Sequence, residues 1–219
     1  LAGRLPMSWK LFSLLLEAAV TTAWISAISI SAGLTLGLVI CTAGFSRRTW
    51  VAGAARLYVS FFRGVPLLVQ LLLVYHLLPV LGLNVSSNVA AIMALTLCSA
   101  AYQAENLKGG FLSVPNGLVE AAQMVGMTSF QRFRRIVAPV ALRLTIPAIV
   151  NEAVAILHAS ALVSVVGVME LTKMTRDLSA STLEPLPLFL MAGAIYIAMN
   201  IVLTTAGARA ERLFRLPGT

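Results

Sequence analysis

Gln70, Tyr102, Gln103, Glu105, Asn151, Glu152, His158, Ser160 and Ser164 are ionisable or strongly polar side chains set within long apolar runs. Such groups are costly away from water, so each needs a partner or a use. Hydrolytic chemistry is not that use. The two histidines, His76 and His158, lie far apart, and neither His-Glu-x-x-His nor Gly-x-Ser-x-Gly occurs. Cys41 and Cys98 lack metal-ligand spacing and read as packing residues. None of the three lysines, Lys10, Lys108 and Lys173, completes the Gly-x4-Gly-Lys-Ser/Thr loop that cradles a phosphate. No catalytic residue, metal site or resident cofactor is expected. Recognition remains: hydrogen bonds and charge offered to a polar solute in an apolar medium, or pairing between helices. Glu105 is expected to pair with a cation such as Arg63. For Asn151 and Glu152, helix packing, gating and ligand contact all stay open.

The medium follows from the rest of the composition. Of 219 residues, 59% are hydrophobic and 11% charged, and the mean hydropathy is +0.91. A soluble domain carries roughly 25% charged residues, so this chain cannot cover a water-facing surface. It reads as a membrane protein. Spanning takes about 20 apolar residues per helix, and the long runs favour helices over the short alternating strands of a barrel. A net charge of +8 would suggest nucleic acid in a soluble protein. Here no aromatic residues interleave a basic stripe, and the charges are expected in cytoplasmic loops instead. Nucleic acid is not an expected partner; membrane lipid is.

An all-α polytopic fold with five transmembrane helices is expected, in one transmembrane domain over 1–219. The spans fall at about 15–43, 65–81, 88–107, 136–168 and 187–208. An amphipathic stretch around 50–63 precedes the second, and Lys108-Gly109-Gly110 is expected to close the third. Pro139 and Pro147 invite a bend or break in the long fourth span. A polar connection runs from 169 to 187. The start lacks the pattern of a cleaved leader, so the first span is expected to be retained. Twelve cations fall in one set of loops against four (Arg4, Lys10, Lys173, Arg176) in the other. That asymmetry puts the N-terminus outside and the C-terminus in the cytoplasm.

The interval 111–135 is the most informative. Asn116 is expected to cap a first short helix carrying Glu120, Ala121 and Ala122. Gly126 breaks it in a left-handed conformation. Thr128 and Gln131 form a capping box for a second short helix, with Phe130 and Phe133 on one face. This piece is too small for a core of its own. Its apolar face fits a groove in another protein or the plane of the bilayer, and the sequence leaves both open.

Glu120-Ala121-Ala122, three residues, Gly126, nine residues, Ile136, two residues and Pro139 resemble the EAA signature of ATP-binding-cassette (ABC) importer permeases. Ala138 departs from it, where that family usually has Leu. Phe62-Arg63-Gly64-Val65-Pro66-Leu67-Leu68-Val69-Gln70, Ala101-Tyr102-Gln103-Ala104-Glu105, Asn151-Glu152 and the run from Val165 to Leu171 are similar to segments of its polar amino-acid subfamily. The resemblance implies a type I importer permease in the bacterial inner membrane. It implies ATP and Mg on a separate ATPase dimer, a second permease subunit and an extracytoplasmic solute-binding protein. Glu120, Ala121, Ala122, Gly126, Met127, Thr128 and Phe130 would couple to the ATPase. Gln70, Tyr102, Asn151, Glu152, His158, Ser160 and Ser164 would line the substrate pathway. Relatives carry Lys-Asp-Thr-Ser-Leu where this chain has His158-Ala159-Ser160-Ala161-Leu162. The acidic position is lost, so either the cargo differs or this chain is the non-binding half of a heterodimer. An ion-coupled transporter or channel is the alternative class.

Overall fold

In the computed structural model, which describes residues 9–213, the chain is built from helices: α1 (Trp9–Gly44), α2 (Thr49–Gly64), α3 (Leu67–Val80), α4 (Ser87–Leu112), α5 (Asn116–Met124), α6 (Ser129–Arg132), α7 (Ala138–Ala159), α8 (Leu171–Thr182) and α9 (Pro185–Leu213). A π-helical turn, Phe133–Val137, joins α6 to α7, and a 3-10 stretch, Ser160–Val166, extends α7. Arg4 and Arg215, both used in the charge count, lie outside the described residues.

The fold is organised around α4, which packs against α1, α2, α3 and α7. Small residues let it do so. Ala90, Ala91, Ala94, Ala100 and Ala101 are fully buried. A Cβ placed on Gly37 would lie 2.7 Å from the Gln103 Cβ and 3.0 Å from the Ala100 carbonyl oxygen. One on Gly110 would meet the Thr145 hydroxyl and lie 2.8 Å from the Ala141 carbonyl oxygen of α7. In lipid no hydrophobic force drives helices together, so close backbone approach and van der Waals contact hold such crossings. Larger side chains fill the spaces around the seam. Ile25, Leu71, Leu95, Val163 and Val168 form one cluster, and Leu15, Leu171, Leu188 and Ile195 form a second where α1, α8 and α9 meet.

The span count differs from five. Among the described residues, three helical runs are long and apolar enough to cross a membrane: Trp9–Gly44, Ser129–Val166 and Pro185–Arg212. The bent pair α2–α3 makes a fourth if counted as one span. The expected span 65–81 is not a free-standing helix of spanning length, since 14 residues of α3 reach only about 21 Å. α4 is 26 residues long but is not among the apolar runs, because its neighbours are protein. Lys108-Gly109-Gly110 does not close it, for the helix continues to Leu112. At Gly110 the missing side chain serves the α4–α7 crossing rather than a helix stop.

α2 and α3 meet at 109°. Val65 is extended, as a residue before proline prefers. Pro66 has no N–H, so the Phe62 carbonyl loses its helical donor. Gln70 supplies the replacement: its Nε2 donates to Phe62 O at 2.8 Å and to Val65 O at 2.7 Å. Gln70→Leu is expected to leave the Val65 carbonyl bare and the Phe62 carbonyl with only the weak Cys98 thiol donor at 3.9 Å, destabilising the protein by about 2 kcal/mol. A thermal midpoint in detergent unchanged from the parent would refute that role.

The fourth span loosens at the first of its two prolines and not at the second. Pro139 cannot donate to Arg135, and the π-helical turn just before it widens the helix there. Helix α7 runs on through Pro147. It tightens into the 3-10 stretch at Ser160 and ends at Gly167, whose φ is +85°.

Much of the expected polar connection 169–187 is helix α8. Glu170, fully buried, accepts from the Thr172 and Lys173 backbone N–H groups at 2.7 Å each and caps it. The Tyr196 hydroxyl donates to the same carboxylate at 3.1 Å, and Leu171 N–H donates to Thr22 Oγ1 at 3.0 Å. Burial pushes the Glu170 carboxyl up, and these hydrogen bonds oppose the shift. α8 is thereby tied to α1 and α9.

Candidate functional site

Two sets of residues carry the candidate functions, and different devices position them. The first is the loop between α4 and α7. Helix α5 ends in a Schellman arrangement: Gly126 N–H donates to Gln123 O at 2.9 Å and Met127 N–H to Ala122 O at 3.1 Å. Gly126 has φ +78°, a region glycine enters without steric cost. A capping box follows, with Thr128 N–H donating to Gln131 Oε1 at 3.0 Å and Gln131 N–H to Thr128 Oγ1 at 3.3 Å. The glycine break and the box are thus as the sequence predicts. Two details are not. Asn116 is the first helical residue rather than the cap, and no side chain caps α5. The second helix is a single turn that merges through the π-helical turn into α7.

The loop is held at one end and bare at the other. The Phe133 ring stacks on Phe111 at the end of α4, with centroids 6.1 Å apart. Ala122 is buried, whereas Glu120, Ala121, Gly126, Thr128 and Phe130 are exposed and Met127 is half-buried. Met124 is 89% exposed, Val125 74% and Phe130 70%. Two short turns thus present large apolar side chains that nothing else among the described residues covers.

The second set is the polar groups among the long helices. Arg63 brings several of them together. Its guanidinium carbon lies 5.3 Å from the Tyr102 ring centroid, and its NH1 is 3.8 Å from Glu105 Oε2. Lys108 also reaches Glu105, at 3.3 Å, and Glu152 of α7 lies within electrostatic reach of Arg63. The pairing of Glu105 with Arg63 is therefore as expected. Both partners are more than a third exposed, so in an aqueous setting the bridge contributes about 0–1 kcal/mol. Its charge pattern matters more than its energy. Asn151 and His158 lie on one exposed face of α7, two turns apart.

The remaining expected pathway residues sit elsewhere. Gln70 is buried at the α2–α3 break with its amide engaged as described. Ser160 is fully buried and donates to Leu157 O at 2.7 Å. Ser164 donates to Ala161 O at 2.8 Å and accepts from Arg176 of α8 at 2.8 Å. Neither Arg176 nor Glu170 was singled out as a site residue in the sequence. The available signal was the period of Leu171, Met174 and Leu178, which marks α8 as an amphipathic helix with Arg176 off its apolar face.

Residues 29–216 match the family described as binding-protein-dependent transport system inner membrane component, and the chain belongs to that family. It is 37% identical over 217 residues to the octopine transport system permease protein OccM of Rhizobium meliloti, covering 95% of this chain and 86% of the relative. It is 33% identical over 201 residues to the histidine/lysine/arginine/ornithine transport system permease protein HisM of Salmonella typhimurium, covering 87% of this chain and 86% of that one. A crystal structure of an amino acid ABC transporter with histidines superposes with a TM-score of 0.88 at 31% identity, covering 97% of this chain and 99% of that one. The MetNI methionine ABC transporter in an inward-facing conformation shares the fold, with a TM-score of 0.79 at 21% identity over 95% of this chain and 100% of that one. The type I importer fold and the permease assignment therefore hold.

Proposed function

We propose that this chain forms, with a second copy or a similar subunit, the translocation pathway of an importer for an amino acid or an opine. Relatives named for octopine and for histidine, lysine, arginine and ornithine transport support that cargo class. A dimer of ATPase subunits, carrying the ATP and Mg, docks beneath the 111–135 loop, and an extracytoplasmic binding protein delivers cargo from the other side. The excess of cations in one set of loops supports an external N-terminus and a cytoplasmic C-terminus in the bacterial inner membrane.

One observation carries the ATPase dock: the loop's shape is fixed from within while Met124, Val125 and Phe130 stand bare. In this reading they fill a cleft of the ATPase, and Glu120 and Thr128 border the contact. Closure of the ATPase dimer would press the two loops together. Continuity of α6 with α7 would then carry the movement into the fourth span and its exposed Asn151 and His158. Glu152, Arg63 and Tyr102 offer opposite charges and an aromatic face to a zwitterion.

Reconstitution tests the whole reading. Uptake of labelled octopine or L-arginine into proteoliposomes is expected only with ATP, the ATPase and the binding protein all present. Uptake by the permease alone under an ion gradient would make it a secondary transporter.

A further inference from the structure

Four charged side chains stand at the head of α8 or on it: Glu170, Lys173, Arg176 and Asp177. Three are accounted for within the fold. Glu170 is buried under two backbone N–H groups and the Tyr196 hydroxyl. The Lys173 ammonium lies 2.7 Å from both carboxylate oxygens of Asp177. Arg176 is the exception. It is exposed and has no ion pair among the described residues. One guanidinium nitrogen, NH2, donates to Ser164 Oγ at 2.8 Å.

That single bond does two things. It fixes the direction of a side chain that would otherwise sample many rotamers. It also leaves most of the five N–H donors of the guanidinium uncommitted. Ser164 is itself only 4% exposed and donates its own proton to Ala161 O, so the serine is a firm post rather than a competing ligand. No acidic residue occurs from Ala153 to Met169, the segment that leads from Glu152 through His158 to the head of α8. Arg176 therefore carries a positive charge that no carboxylate among the described residues approaches to ion-pair distance. A planar guanidinium held in one orientation binds a carboxylate through two parallel hydrogen bonds.

We infer that Arg176, positioned by Ser164, is a specificity-determining residue that receives a carboxylate of the cargo at the external mouth of the pathway. The carboxylate received is one beyond that of the α-amino acid group, so the importer favours an amino compound with two carboxylates over a cationic amino acid with one. This rests on the proposed importer function, which supplies the orientation, and it names the cargo chemistry within that function.

Octopine and L-arginine form a suitable probe pair, since octopine is an arginine carrying a second carboxylate. Uptake of each is measured in proteoliposomes containing the complete importer, with the binding protein and ATPase unmutated. The parent is expected to give octopine the higher kcat/KM. Arg176→Gln should lower octopine kcat/KM about tenfold or more and L-arginine less than about twofold. Arg176→Lys should keep the preference at reduced strength, and Ser164→Ala should lose part of it. Equal losses for both substrates overturn the inference, because a structural tie or a contact with the binding protein would act on both alike. An unchanged ratio in Arg176→Gln overturns it too, as does a parent that takes L-arginine in preference to octopine. ATP-independent uptake of both by the parent instead overturns the importer function itself.

Discussion

Gly126→Asp is expected to reduce ATP-driven uptake by at least about tenfold while leaving the protein inserted and the ATPase able to hydrolyse ATP. The effect is large because the site is bare within this chain. A Cβ at Gly126 meets nothing within 4 Å, so any clash must come from a partner. The left-handed backbone there, φ +78°, is tolerated by aspartate better than by most side chains. The loop should therefore keep its Schellman end and its capping box while a carboxylate is thrust into the docking surface. A buried, unpaired charge in an interface costs several kcal/mol, which is more than enough for the predicted loss. Glu120→Lys attacks the same surface from six residues earlier, reversing an exposed charge without touching the backbone. Full uptake in both variants would remove the coupling role.

Gly110→Val should do more damage to the fold than any other single change discussed. Its Cβ would meet the Thr145 hydroxyl and lie 2.8 Å from the Ala141 carbonyl oxygen. A side chain can swing aside; a helix backbone cannot. α4 and α7 would have to separate, which breaks the Asn106 to Ala148 hydrogen bond between them as well. The expected cost is about 3 kcal/mol or more, beyond ordinary overpacking because backbone is involved. Unfolding in detergent should show a clearly lowered midpoint. Thr145→Ala in the same chain should recover only part of it, since the Ala141 contact remains. Complete rescue by Thr145→Ala would show that the hydroxyl alone set the constraint.

These two glycines mark what could be read from sequence. Gly126 was legible because its job is local: a helix stop between Ala122 and Thr128, with the capping box beside it, needs only neighbours in the chain. Gly110 reads as a stop for the same local reason, yet α4 passes through it, because its partner is Thr145, far along the chain. The same division explains α8. Its polar residues suggest a connection, but the Glu170 cap is held by Tyr196 of α9, and the Leu171 N–H beside it donates to Thr22 of α1. The α2–α3 break was half visible. Pro66 announces a helix start, but the 109° turn depends on Gln70 reaching back to Phe62 and Val65. Among the site residues, the pairing of Glu105 with Arg63 follows from two opposite charges in apolar surroundings. The link from Arg176 to Ser164 could not be read that way, since it joins elements whose packing only the fold defines.

If the 111–135 loop seats in an ATPase, a cross-linker carried by the loop will reach that subunit. The natural cysteines, Cys41 and Cys98, are both buried, so Phe130→Cys would add an accessible thiol to a chain with no other exposed one among its described residues. With the assembled complex in native membranes, a short thiol-to-amine cross-linker is expected to join this chain to the ATPase subunit, in a yield that changes when ATP is added. Labelling of that thiol by lipid-phase reagents, with no ATPase adduct in any nucleotide state, would contradict the account and leave the loop lying on the bilayer.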